Sequence, residues 1–83
     1  MTVQEIFGRL LKYQMEKQGV SIVDFAKYAG LTPKTIVGYI KGKTIPHSSI
    51  LISASEYFHV TTDYLLGLKD EFGNKLQNPP DWQ

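Results

Sequence analysis

Two helical stretches of this chain are separated by only three residues, 30–32, and that spacing limits the folds open to it. The first stretch stops at Gly30, which lacks a Cβ and so takes the left-handed conformation that ends a helix sharply. The second opens on Thr32-Pro33, a capping hydroxyl followed by proline at the first helical position, where a missing N–H costs nothing. Helices joined by so short a turn cannot lie antiparallel in the usual bundle manner. They cross steeply.

The other elements follow from period and caps. Val3, Ile6, Phe7, Leu10, Leu11 and Met15 have helical spacing over residues 3–18, with Thr2 and Glu5 at capping-box distance and Gly19 as the stop. Ser21 caps the second helix, Val20 and Phe25 are placed as a hydrophobic staple, and Phe25, Ala26 and Ala29 form its inner face. A third helix over 33–41 turns Ile36, Tyr39 and Ile40 inward and ends at Gly42. Pro46 bars helix until past itself, so His47 or Ser48 caps a fourth helix with Ile50, Leu51, Ala54, Tyr57 and Phe58 inside. After Thr61-Thr62-Asp63, residues 64–67 make a last short helical turn. The expected fold class is therefore all-α, a five-helix bundle, with residues 1–67 as the domain and 68–83 as a polar tail or linker. Phe72, Leu76 and Trp82 are isolated in that tail, which cannot bury a core of its own.

With 83 residues, 42% of them hydrophobic, the chain has room for one modest core. No apolar run is long enough for a membrane span, and residues 1–5 lack the basic and apolar regions of a secretory leader. The absence of cysteine removes disulfides, thiolate zinc sites and a cysteine nucleophile. A cytoplasmic location is expected.

The net charge of +1 says nothing of partners, but its distribution does. No acidic residue lies between Asp24 and Glu56, while Lys27, Lys34, Lys41 and Lys43 all do. If folding gathers them, they form a basic patch; if not, they are four solvated lysines.

A helix-turn-helix unit needs a small residue within its first helix, a permissive residue at the turn and an apolar anchor in its second helix. Ala26, Gly30 and Ile36 supply these. The outer face of the helix from Pro33 is then free to enter a major groove. The chain from Ile6 to Gly67 resembles the phage repressor/Cro type of helix-turn-helix domain, also called the xenobiotic-response-element family. The resemblance rests on Leu10-Leu11, on residues 19–21 (Gly-Val-Ser), 25–32 (Phe-Ala-Lys-Tyr-Ala-Gly-Leu-Thr) and 35–43 (Thr-Ile-Val-Gly-Tyr-Ile-Lys-Gly-Lys), on Pro46 and on 60–67 (Val-Thr-Thr-Asp-Tyr-Leu-Leu-Gly).

The resemblance implies a lambda-repressor-like fold and a regulator that binds double-stranded DNA as a homodimer. It places Ser21 at a phosphate-binding helix end and Thr32, Lys34, Thr35, Val37 and Gly38 toward the groove. Lys41, Lys43 and Thr44 follow the recognition helix at phosphate, and Lys27 is a further candidate contact. Where the family commonly has glutamine, this chain has Ile22 and Pro33, and Val37 and Gly38 replace polar readers. Direct base readout is thinned, and phosphate contacts and DNA shape carry more of the recognition. The dimer surface of such domains implicates Tyr57, Phe58, Val60 and Tyr64, with core the simpler reading for Phe58 and Tyr64.

An interaction module on the same scaffold, reaching a protein partner through its apolar face or its tail, is the alternative. His47 and His59 lack metal-ligand spacing, and His47 reads as a helix cap. The serines at 48, 49, 53 and 55 lack a base, and Arg9 and Lys12 read as solvated. Nothing in the sequence points to an enzyme, a metal or a cofactor.

Overall fold

A computed structural model describes residues 1–70, 72 and 74. Its elements are α1 (Val3–Gln18), α2 (Ile22–Ala29), α3 (Pro33–Ile40), α4 (Ser48–Phe58) and α5 (Thr62–Leu65), an all-helical fold as expected. Thr2 and Glu5 form a complete capping box. Ser21, Thr32 and Thr61 each accept the amide three residues on, and Gly19 and Gly30 close α1 and α2 in the left-handed region. Local chemistry thus sets most of the boundaries.

One core joins the helices. Phe7, Phe25 and Phe58 are fully buried with Leu11, Ile36 and Leu65. Each such side chain contributes roughly 1.5–3 kcal/mol relative to exposure. Tyr39 stands edge-on to Phe7 at 5.7 Å, and Phe25 meets Phe58 at 5.1 Å and Tyr57 at 5.5 Å. Phe58 and Tyr64 are core residues, as the simpler reading had them.

Several boundaries differ from expectation. The third helix ends at Ile40, with Lys41 as its cap: the Lys41 amide still donates to Val37, but its ψ of −3° leaves the helix. His47 stands at the N-cap of α4, yet its side chain caps nothing. The last helix starts earlier, at Thr62, because the Thr61 hydroxyl accepts from the Tyr64 amide. Val3, counted within the inner stripe of α1, is exposed at its open first turn.

Order continues past residue 67. The Leu68 amide donates to Asp63, Lys69 pairs with the Asp63 carboxylate at 3.5 Å, and Asp70 accepts from the amides of Phe72 and Asn74. Short polar side chains readily organise such turns. Leu76 and Trp82 lie outside the described residues.

Candidate nucleic-acid interface

The turn between α2 and α3 is built from backbone bonds and small residues. The Gly30 amide donates to Lys27 and the Leu31 amide to Ala26, satisfying carbonyls that the end of α2 would leave open. Gly30 has a φ of 71°, where a side chain would be strained. Ala26 is buried, and with so little side chain it lets α3 pack closely on α2. Ile36, wholly buried in the same core, pins α3 to it.

That anchoring leaves the start of α3 in solvent. Pro33, Lys34 and Thr35 are exposed, as is the cap Thr32. The Thr32 and Thr35 hydroxyls lie 2.9 Å apart, and Thr32 also accepts the Thr35 amide at 3.3 Å. The exposed start of α3 thus carries a prearranged pair of hydroxyls, with Lys34 between them in sequence. Val37 and Gly38 are half-buried, set back from this leading edge. The Lys43 amide donates to the Gly38 carbonyl at 3.1 Å, folding the following loop against α3.

Lys27, Lys41, Lys43 and Thr44 are all exposed, and so is Ser21, whose Oγ accepts from Asp24 at the start of α2. Neither these lysines nor Lys34 have an ion pair among the described residues. Their charges are left for an external anion to meet. Lys41 and Gly42 also line a cleft with Glu5, Arg9 and Ile40, so α1 borders the end of α3.

Sequence reasoning missed what brings α1 there. Gly8 lies directly against the carbonyls of Tyr39 and Ile40; a Cβ on it would come within 2.6 Å of the Ile40 oxygen. A glycine in an otherwise strong helix was the available signal, since it costs about 1 kcal/mol there without a packing reason. A second cleft, of about 240 Å³ and largely apolar, opens among Met15, Val20, Ile22 and Ile40 with Lys12 and Glu16 at its rim. No group of three or more histidines, aspartates and glutamates able to hold a metal occurs among the described residues. No described helix is long and apolar enough to cross a membrane.

Comparison with known proteins agrees with this geometry. The helix-turn-helix family matches over residues 11–65. The fold is similar to that of the clp gene regulator ClgR from Corynebacterium glutamicum. Identity is 18%, the TM-score is 0.74, and the likeness covers 80% of this chain and 70% of that one. It is also similar to the SOS-response transcriptional repressor LexA from Eubacterium rectale, at 24% identity and a TM-score of 0.73, over 95% of this chain and 82% of that one. No curated protein matches.

Proposed function

The chain belongs to the helix-turn-helix family of Cro/C1 type, and from that premise we propose that it is a DNA-binding transcriptional regulator of repressor-like action. The recognition helix is α3, laid in the major groove of duplex DNA by its N-terminal turn. An α-helix of about 10–12 Å diameter suits a groove about 12 Å wide. Thr32, Lys34 and Thr35 meet base edges or phosphate, and Val37 and Gly38 set how closely the helix approaches. Ser21 at the head of α2, with Lys27, Lys41, Lys43 and Thr44, grips the sugar-phosphate chain. Support for regulation comes from the two similar structures, one of a gene regulator and the other of a transcriptional repressor.

The observation that carries this reading is the exposed start of α3 with Lys34 in it, together with Lys27 in the last turn of α2 and Lys41 and Lys43 after the end of α3, all exposed and without ion pairs among the described residues. One helix of 8 residues offers little contact, so a homodimer on paired half-sites about 34 Å apart supplies regulatory affinity. Burial of Phe58 and Tyr64 leaves the half-buried Tyr57 and Val60 as surface candidates for that contact. Selection of bound sites from a random duplex library at moderate salt tests binding, specificity and spacing together. Failure to enrich any duplex, with no salt-sensitive binding to bulk DNA, defeats the proposal.

The alternative is an interaction module on the same scaffold. The apolar cleft beside Ile22 and the exposed Val23, Tyr28 and Leu31 favour it. A partner protein retained in a pull-down, together with indifference to duplex DNA, is the outcome it requires.

A further inference from the structure

Resting on the reading of α3 as a DNA-binding helix, we propose that Arg9 on α1 is an additional phosphate-contacting residue, which extends the nucleic-acid surface beyond the helix-turn-helix unit. Two observations carry this. Arg9 lines the same cleft as Lys41 and Gly42, at the end of α3 where the phosphate-gripping loop begins. Its neighbour Gly8 sits against the carbonyls of Tyr39 and Ile40, so the close approach of the two backbones delivers Arg9 to that edge.

The cleft holds two cations, Arg9 and Lys41, and one carboxylate, Glu5. Arg9 is exposed and has no ion pair among the described residues. Glu5, one helical turn away, is the carboxylate that would most simply neutralise it. Its Oε1 is engaged by the Thr2 amide at 3.0 Å and the Thr2 hydroxyl at 2.9 Å. Those bonds, and to a lesser extent the Arg9 charge, hold the Glu5 carboxyl low, but Glu5 and Arg9 form no ion pair. The exposed guanidinium thus shares this cleft with Lys41, and a planar fork of donors is the group that suits a phosphate. Lys12, on the same helix, lines the apolar cleft instead and takes no part.

The test is the salt dependence of binding to a random-sequence duplex, read by fluorescence anisotropy for the wild type and for R9Q, R9K and K12Q. Each is measured at a temperature where circular dichroism shows it fully folded. Loss of one phosphate contact flattens the plot of log K against log salt by about 0.9 and weakens binding roughly five- to tenfold at 0.1 M salt. R9Q should show both changes, R9K should restore the slope because it keeps the charge but only part of the affinity because it lacks the planar fork, and K12Q should follow the wild type. An R9Q slope equal to that of a binding wild type overturns the role of Arg9 alone, even if affinity falls. A wild type without salt-dependent binding overturns the underlying reading of α3 as well.

Discussion

The side-chain amide of Gln14 in α1 donates to the phenol oxygen of Tyr64 in α5 across 3.2 Å, fully inside the protein and fifty positions apart in sequence. Gln18 extends the network, donating to the Gln14 oxygen at 2.8 Å and to the Phe58 carbonyl at 3.0 Å. The first helix is thereby tied to the ends of the last two. A buried amide is costly unless its donors and acceptors are met, so this network specifies how α5 docks.

Removing the Tyr64 hydroxyl should accordingly destabilise the fold by about 1 kcal/mol, and Gln14→Ala should cost more, about 2 kcal/mol, because it also opens a void. Denaturant titration of Y64F, Q14A and the double variant gives the coupling. Strict additivity of the two effects would show that the bond contributes nothing.

Two glycines within helices should respond oppositely to alanine. At Gly8 the added methyl meets backbone carbonyls that cannot move aside, so G8A should lower stability by about 1–3 kcal/mol despite better helix propensity. At Gly38 it meets only the Thr44 hydroxyl at 3.8 Å, an ordinary contact, so G38A should raise stability by about 0.5–1 kcal/mol. Thermal midpoints of the two variants moving in the same direction would contradict this account of the α1–α3 contact.

His59 closes α4 with a φ of 57°, the one described residue other than glycine held in the left-handed region. The conformation costs a side-chain-bearing residue about 1–2 kcal/mol, and His59 is exposed, with little packing to lose. H59G should therefore gain about 1 kcal/mol, a rise of roughly 4–8 °C in Tm for a domain this size. A lower Tm would mean the imidazole makes a contribution of its own.

Acid should loosen the start of α1. The Thr2 amide and then the Thr2 hydroxyl, both donating to Glu5, hold its carboxyl below the ordinary range. A depressed value in the folded state means that the contribution is complete above the ordinary carboxylate range and is lost as pH falls through the folded value. The Thr2 amide resonance should follow that acid-side titration, and E5Q should abolish it. A Glu5 carboxyl that titrates at or above the ordinary range would refute the box.

Replacing Lys41 and Lys43 together by alanine should weaken binding to every duplex alike and flatten the salt dependence by about 1.8, twice the value for one phosphate. Lys34→Ala should instead change which base is preferred if that lysine reaches a base edge, or act uniformly if it meets phosphate. Gel shifts across a salt series distinguish the cases, and unchanged affinity in the double variant removes both lysines from the interface.

The sequence alone determined the helices and the turn that relates α2 to α3. Caps such as Thr2, Ser21 and Thr32, the stops at Gly19 and Gly30, and the inner stripe through Phe25, Ala26 and Ile36 depend on backbone bonds and side-chain period within a few residues. Such signals survive in a string of letters. Tertiary structure decided what each helix meets. Gln14 occupies an inner register after Phe7 and Leu11, yet its burial depends on a hydroxyl fifty positions away. Gly8 looks like a weak point until the carbonyls of Tyr39 and Ile40 are set against it. Arg9 resembles any surface arginine until that same contact sets it in one cleft with Lys41. Local energetics are written in neighbouring residues, whereas desolvation, close backbone approach and the meeting of like charges exist only between elements already packed.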